Sequence, residues 1–277
     1  MTTIPSAQLN DGTAFPVVGF GTYQITGEGA VAAIVSAIEC GYRLLDTAVN
    51  YGNESLVGEA VRVSGVDRDE IVVTTKVPGR DHGYEQTLAS ARGSLKRLGL
   101  DRIDVYMIHW PNPRVDKYVD TFRAMVDLRE QGLVRTVAVS NFTERMITRL
   151  IDEVGVTPAV NQVELHPYVP QPELRAFHAA HGIRTESWSP LARRFELLAE
   201  PVIIDIAAAH GVTPGQAVLR WHVQLDATPI PKSEQPERQR ENADLFGFEL
   251  TGDEVAAISG LQRERRPDYH PDQREEM

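Results

Sequence analysis

The sequence predicts an α/β fold, a (β/α)8 TIM barrel with an N-terminal β-hairpin and extra helices late in the chain. Strand-like segments alternate with helical segments eight times in succession, a pattern typical of parallel pairing. No Gly-x-Gly-x-x-Gly motif follows the first of these strands, which disfavours the doubly wound open sheet as the competing fold. A length of 277 residues is common for a one-domain barrel, so we expect a single domain over residues 1–277.

The individual elements follow from apolar periodicity and turn residues. Asn10-Asp11-Gly12 is the predicted hairpin turn, between Gln8-Leu9 and Phe15-Pro16-Val17. Strands are predicted at 17–20, 43–46, 71–76, 103–108, 136–140, 159–164, 184–187 and 227–231. Helices are predicted at 31–40, 54–63, 84–98, 118–131, 144–153, 172–181, 201–210, 214–224, 236–243 and 252–259. The charged, aperiodic tail at 262–277 either covers the barrel mouth or frays.

Charge and composition narrow the possible functions. A net charge of −11 and a pI near 5.2 argue against general binding to nucleic acid or to an anionic membrane. No apolar run is long enough to span a bilayer, and the first residues lack the features of a signal peptide. The single cysteine, Cys40, is expected to be a buried structural thiol. We therefore expect a cytoplasmic protein and, since no apolar seam suggests a dimer, a monomer.

Polar side chains end nearly every predicted strand. In a barrel these strand ends face one mouth, where active sites lie. The strand-end residues are Asp46, Lys76, His109, Trp110, Ser140, Asn141, Gln162, Trp188, Ser189, Lys232 and Ser233, and Tyr51 follows Asp46 after a short loop. Singly, each has a structural explanation: Asp46 and Lys76 as a buried ion pair, His109 as a core histidine. Their convergence favours a catalytic site, in which Lys76 would lower the pKa of Tyr51 from about 10.

Several motifs of this sequence together resemble the aldo-keto reductase family. They are Asp46-x4-Tyr51-Gly-Asn, Thr75-Lys76, His109-Trp110-Pro111, Val139-Ser140-Asn141-Phe142, Asn161-Gln162-Val-Glu-Leu-His166-Pro167 and Ile230-Pro-Lys232-Ser233-x-x-Pro-x-Arg238-x-x-Glu241-Asn242. The resemblance covers about residues 9–259. Within the family, the length and the segments 161–167 and 188–191 resemble the bacterial diketogluconic acid reductases and their relatives.

The resemblance implies a catalytic tetrad of Asp46, Tyr51, Lys76 and His109. Tyr51 would donate a proton to a carbonyl oxygen as hydride reaches the carbon. Lys76, held by Asp46, would favour the phenolate, and neutral His109 would orient the carbonyl. Tyr23, Val49, His109 and Trp110 are expected to bind a small carbonyl substrate: an aldehyde, a ketone, a dicarbonyl or a keto-sugar.

The resemblance also implies NADPH as the cofactor, with no metal. Its nicotinamide end is expected at Ser140, Asn141, Gln162, Trp188, Ser189 and Leu191, with Trp188 stacking on the ring. Its 2′-phosphate is expected at Lys232, Ser233 and Arg238, with Glu241 and Asn242 near the adenine. Two residues depart from the family pattern: Glu234 places a carboxylate near the phosphate, and Pro78 replaces an aromatic, which predicts a wider substrate pocket.

Two other functions stay open at this stage. One is a Schiff-base aldolase that uses Lys76 as its nucleophile, although Asp46 and Tyr51 in this spacing and the Lys232 motif speak against it. The other is a barrel that binds NADPH as a sensor or regulatory subunit without significant turnover. A complete tetrad favours the reductase over both.

Overall fold

The computed structural model describes residues 4–193, 196–263 and 269–277. Its first element is the predicted hairpin: β1 (Ser6–Gln8) pairs antiparallel with β2 (Ala14–Pro16), with Ala7 opposite Phe15. Phe15 is fully buried and packs in one cluster with Leu44 and Val105, apolar side chains of the barrel strands. The hairpin therefore covers one end of the barrel and leaves the other end for a site.

Eight parallel strands form the barrel wall, each paired with the next in chain order. They are β3 (Phe20–Gly21), β4 (Leu44–Asp46), β5 (Val72–Val77), β6 (Ile103–Ile108), β7 (Val134–Ser140), β8 (Val160–Glu164), β9 (Arg184–Trp188) and β10 (Ala227–Pro229). The first and last strands meet through backbone bonds from Gly19 N to Pro229 O (3.0 Å) and from Gly21 N to Pro231 O (3.1 Å). A Cβ atom on Gly21 would lie 2.8 Å from the Ile230 carbonyl oxygen, so this closure needs glycine. The predicted barrel fold is confirmed.

Helices follow the strands and surround them. They are α1 (Ala30–Glu39), α2 (Glu54–Val63), α3 (Tyr84–Leu98), α4 (Tyr118–Glu130), α5 (Glu144–Val154), α6 (Pro172–Ala180), α7 (Pro201–His210), α8 (Pro214–Gln224), α9 (Pro236–Ala243) and α10 (Gly252–Ser259). Local sequence sets several ends: Thr213 and Thr251 form capping boxes at α8 and α10, and Gly99 ends α3 in a left-handed conformation. Their apolar faces pack against the strands in a large buried core.

Most predicted boundaries lie within two residues of the observed ones, but the first strand differs. Residues 17–19 precede β3 instead of belonging to it, and the amide of Val17 donates to Pro5. β10 also ends at Pro229, two residues earlier than predicted. Among the described helices, no single one is long and apolar enough to cross a membrane; α7 and α8 would be so only jointly, and they meet at a bend of 89°.

Candidate active site

A cavity of about 590 Å³ opens where the barrel strands end. Many of the residues expected at the site line it: Tyr23, Asp46, Tyr51, His109, Trp110, Ser140, Asn141, Gln162, Trp188, Ser189, Leu191 and Lys232. Val49, which we expected in the lining, is not part of it, and its neighbour Asn50 is. Val49 begins the 3-10 turn Val49–Tyr51, and this turn presents the next two side chains to the cavity.

Lys76 joins three groups at the base of the cavity. Its amine donates to Oδ1 of Asp46 at 2.5 Å and to the backbone oxygen of Thr47 at 3.0 Å. It also lies 3.4 Å from the hydroxyl of Tyr51. The ring of Tyr51 contacts that of His109 edge-on, with 5.7 Å between the centroids. The structure therefore brings all four residues of the expected tetrad together.

The fold fixes this cluster through adjacent strands and one loop. β4 and β5 pair with Asp46 opposite Thr74, so Lys76, two residues further along β5, points to the same end of the barrel. The loop that carries Tyr51 is held by Asn53, which accepts a bond from the hydroxyl of Thr47 at 2.6 Å. Asn53 also donates to the backbone oxygen of Thr22 at 2.8 Å. All of these links are buried, and they keep the phenol in reach of the amine.

The pKa of Tyr51 differs from the expectation drawn from the sequence. Burial raises the pKa of Tyr51 to about 12, and the charge of Lys76 lowers it only in part. The predicted lowering was therefore wrong in net direction, because the protein around the hydroxyl disfavours the phenolate more than one amine favours it. At neutral pH Tyr51 is a neutral phenol with a proton to donate.

The amine of Lys76 is kept charged. It is fully buried, and burial alone would lower its pKa. The carboxylate of Asp46 outweighs that effect, so the pKa of Lys76 lies above its usual value. A buried pair of this geometry is stable only as a pair, since either charge alone would be costly.

The C-terminal tail reaches into the cavity, which sequence patterns could not reveal. Nδ1 of His109 lies 2.9 Å from Oε1 of Glu276, and the amide of Asn50 donates to the same oxygen at 2.9 Å. The guanidinium of Arg274 stacks over the ring of Trp110, 4.6 Å from its centroid. Burial alone would raise the pKa of Glu276, but His109, Asn50 and Arg274 lower it, so Glu276 is ionised at neutral pH.

The tail is anchored at a glycine. Two hydrogen bonds join the backbone of Glu276 to the side chain of Asn112. Nδ2 of Asn112 donates to the backbone oxygen of Glu276 at 2.6 Å, and the backbone N–H of Glu276 donates to Oδ1 of Asn112 at 2.9 Å. A Cβ atom on Gly79 would lie 1.8 Å from the Glu276 oxygen. Of the two alternatives for the tail, residues 269–277 cover the mouth, while 264–268 lie outside the described residues. Pro78 is buried and is not among the residues that line the cavity, and the wider pocket expected from its place in the sequence stays a prediction.

The polar set expected at the nicotinamide lies beside the tetrad: Gln162 donates to Asp46 at 2.8 Å, and Asn141 donates to the backbone oxygen of His109 at 3.1 Å. The hydroxyl of Ser140 donates to the backbone oxygen of Gln162 at 2.9 Å and accepts from the amide of Asn141 at 3.0 Å. The indole of Trp188 donates to Oδ1 of Asn141 at 2.9 Å. Asn141 and Ser189 directly follow β7 and β9 with φ of 62° and 50°, a conformation that is costly for residues other than glycine. Such strain is typical of residues held for a function.

Of the two cations expected to bind a phosphate, Lys232 lines the cavity and Arg238 lies on α9. Lys232 is exposed and pairs with Glu234 at 2.5 Å, so the acidic departure from the family pattern contacts the very amine expected to hold the phosphate. Ser233 is buried, whereas Arg238 and Glu241 are exposed on α9 and Asn242 is half-buried there. No ion pair holds Arg238 among the described residues, which leaves its guanidinium open to an anion.

Comparison with known proteins identifies the family of this chain. The family model described as "Aldo/keto reductase family" matches residues 17–263. The chain belongs to the aldo/keto reductase family. As a member it is an oxidoreductase. The 2,5-diketo-D-gluconic acid reductase B of Corynebacterium sp. (strain SHS752001) is 65% identical over 277 residues, which is 100% of both chains. An aldo-keto reductase of Mycolicibacterium smegmatis is 49% identical and matches 95% of both chains.

Several solved structures superimpose closely on this one. The crystal structure of an aldo/keto reductase from Brucella melitensis has a TM-score of 0.90 at 46% identity, over 94% of this chain and 100% of that one. A variant of Gox0644 in complex with NADPH has a TM-score of 0.93 at 38% identity, over 99% and 100%. An aldo-keto reductase of Bombyx mori in complex with NADP has a TM-score of 0.90 at 35% identity, over 96% and 95%.

Proposed function

We propose that this aldo-keto reductase reduces aldehydes and ketones to alcohols with NADPH, reversibly, and that Tyr51 is the general acid. One observation carries the proposal: the hydroxyl of Tyr51 lines the cavity 3.4 Å from a buried amine that is itself paired with a carboxylate. A phenol in this setting is neutral and can donate a proton, and the nearby cation stabilises the phenolate that remains.

Each of the four residues has its own role in the proposed reduction. The π electron pair of the carbonyl group moves onto its oxygen as hydride reaches the carbon. This oxygen takes the hydroxyl proton of Tyr51. Lys76 stabilises the resulting phenolate, and Asp46 keeps Lys76 charged and in place. His109, beside the phenol, lies where it can contact the substrate carbonyl and orient it. When bound, NADPH supplies the hydride that reaches the carbonyl carbon.

The donors around the cavity fit NADPH. Ser140, Asn141 and Gln162 offer hydrogen-bonding groups for a carboxamide, and Trp188 offers an aromatic face. Lys232 and Arg238 are two exposed cations with the hydroxyl of Ser233 between them in the sequence, a set of groups that suits a 2′-phosphate. The NADPH and NADP complexes of the two structural relatives support the same cofactor.

The substrate class that we propose is a keto acid or a keto-sugar acid. Arg193 and Arg274 both line the cavity and can face a substrate carboxylate. The name of the Corynebacterium relative, a diketo-D-gluconic acid reductase, supports this class. A panel of keto acids beside neutral dicarbonyls of equal length, assayed by loss of NADPH absorbance, tests the proposal. Equal kcat/KM for charged and neutral members would reject the preference for acids.

A Schiff-base aldolase is disfavoured by the state of Lys76. Attack on a carbonyl needs a neutral amine with room for the substrate. The amine of Lys76 is instead fully buried and bonded to Asp46, and its pKa is raised. Failure of borohydride to trap a dicarbonyl on Lys76 is the expected result.

A sensor without turnover would bind NADPH yet not oxidise it. The intact arrangement of Tyr51, Lys76 and His109 supports turnover instead, and steady-state oxidation of NADPH with a dicarbonyl decides between the two.

We further propose that the protein acts as a cytoplasmic monomer. Light scattering of the purified protein tests the oligomeric state.

A further inference from the structure

Glu186 is a buried acid that the proposed reaction does not use. It lies on β9 directly beside Gln162 of β8, and none of its surface is exposed. Its Oε2 accepts a bond of 2.9 Å from Nε2 of Gln162. Its Oε1 is buried and finds no hydrogen-bond partner among the described residues. Burying a carboxyl in this way is unfavourable, so its position one strand from the expected cofactor site calls for a functional reason.

The amide of Gln162 is held from two sides. Its Nε2 donates to Oδ1 of Asp46 at 2.8 Å as well as to Oε2 of Glu186. Exchanging the oxygen and nitrogen of this amide would place Oε1 against the carboxylate of Asp46, which has no proton to give, so the orientation is determined. Both N–H groups of Gln162 are thereby used, and Oε1 is the atom left for a ligand in the cavity that Gln162 lines.

We infer that Glu186 is a positioning residue that fixes the amide of Gln162, so that Oε1 accepts a hydrogen bond from the carboxamide N–H of the nicotinamide cofactor. This inference rests on the proposed function. The hydrogen bond to Asp46 determines that Nε2, not Oε1, of Gln162 faces the tetrad. With this bond alone, the amide could still rotate about χ3, a torsion with a broad energy minimum. The second bond, to Glu186, removes that freedom before the cofactor binds.

The ionisation of Glu186 suits this role. Burial, followed by the charge of Asp46, raises the pKa of Glu186 to about 8, against the opposing effects of Gln162, Lys76 and Arg184. At pH 7 the carboxyl is thus mainly neutral. It still accepts from Gln162 through one oxygen, and it adds no second negative charge beside Asp46.

The test compares two cofactors that differ at the carboxamide. In 3-acetylpyridine adenine dinucleotide phosphate a methyl group replaces the carboxamide NH2, so this analogue cannot donate to Oε1 of Gln162. Dissociation constants for NADP+ and for the analogue are measured by calorimetry in the wild type, in Glu186→Leu, which removes the acceptor, and in Glu186→Gln, which retains one. Glu186→Met, whose flexible side chain fills the same space, serves if the leucine variant does not fold.

We expect Glu186→Leu to weaken NADP+ about fivefold, the effect of one hydrogen bond, and to leave the analogue within about twofold. Glu186→Gln should bind both like the wild type. Equal losses for both cofactors in Glu186→Leu, or no loss for NADP+, would overturn the positioning role and leave the proposed function standing. A wild-type protein that binds neither cofactor would instead overturn the proposed function, and the positioning role with it.

Discussion

The amine of Lys76 lies 3.4 Å from the hydroxyl of Tyr51, although the two residues come from a strand and from the loop of the preceding unit. Asp46 completes the contact from the other side of the amine, at 2.5 Å. The ion pair with Asp46 explains how the fully buried Lys76 can remain charged. The ammonium of Lys76 in turn stabilises the phenolate of Tyr51, although burial raises the pKa of this phenol.

The first prediction separates the stability of the Lys76–Asp46 pair from its chemistry. Lys76→Met leaves the carboxylate of Asp46 buried without its cation, so the free energy of unfolding should fall by about 3–5 kcal/mol. In the double variant Asp46→Asn/Lys76→Met both charges are gone, and most of that stability should return. The double variant should still lose at least about 100-fold in kcat, because the phenolate has lost its cation. Urea unfolding and NADPH oxidation measure the two effects, and near-normal turnover in the double variant would contradict the role of Lys76.

The second prediction concerns the tail. Glu276→Gln removes a negative charge 2.9 Å from His109, inside the cavity. The KM for an anionic keto acid should fall about fivefold, and the KM for a neutral dicarbonyl of equal length should stay within about twofold. Glu275→Gln, one residue earlier on the same tail, is the matched control. Equal changes in KM for charged and neutral substrates would show that Glu276 acts only through tail structure.

The third prediction concerns the choice between NADPH and NADH. Arg238→Ala should weaken NADPH at least about tenfold and NADH little, since only NADPH carries the 2′-phosphate. Glu234→Gln releases Lys232 from its ion pair and should therefore increase the preference for NADPH over NADH. Glu237→Gln, on the same helix, controls for the loss of a nearby negative charge. Equal loss of both cofactors in Arg238→Ala would remove the phosphate role from that residue.

The fourth prediction follows from two buried histidines, His178 and His222. Burial lowers the pKa of each to about 3. The unfolded chain takes up a proton at each imidazole below pH ~6.5, whereas the folded chain does so only near pH 3, so stability falls as the pH is lowered across this range. At pH 5 each imidazole should lower the free energy of unfolding by about 2 kcal/mol relative to its value at pH 8.

Urea unfolding between pH 8 and pH 5 measures this dependence. His178→Gln removes one of the two imidazoles and should flatten the curve, while His181→Gln, at an exposed position just after the same helix, should leave it unchanged. An unchanged curve in His178→Gln would show that this histidine is not buried in its neutral form.

The sequence predicted that Asp46, Lys76 and His109 share one end of the barrel, because apolar runs mark where strands end and parallel strands of a barrel end at one mouth. The resemblance to the family, not the apolar pattern, grouped these three residues with Tyr51 as a tetrad. Sequence reasoning missed Glu276, since the tail has no periodicity and its docking depends on Asn112, more than 160 positions away in the chain. It placed Val49 rather than Asn50 in the cavity because a 3-10 turn is not visible in the apolar pattern.

The pKa of Tyr51 shows a second limit. The residues that contact a group can be inferred from motifs, but the extent of its burial depends on how the loops and the tail pack around it. Lys76 does lower the pKa of Tyr51, as expected, yet burial is the larger effect. Glu186 was missed for a similar reason, because only the strand register shows that it lies beside Gln162.

The most direct test of the account is the turnover of Tyr51→Phe, measured by NADPH oxidation with a keto acid and set beside NADPH binding followed by tryptophan fluorescence. We predict that the variant binds NADPH like the wild type but loses about 100-fold to 10,000-fold in kcat, the usual contribution of a positioned proton donor. Wild-type turnover in this variant would contradict the assignment of Tyr51 as the proton donor.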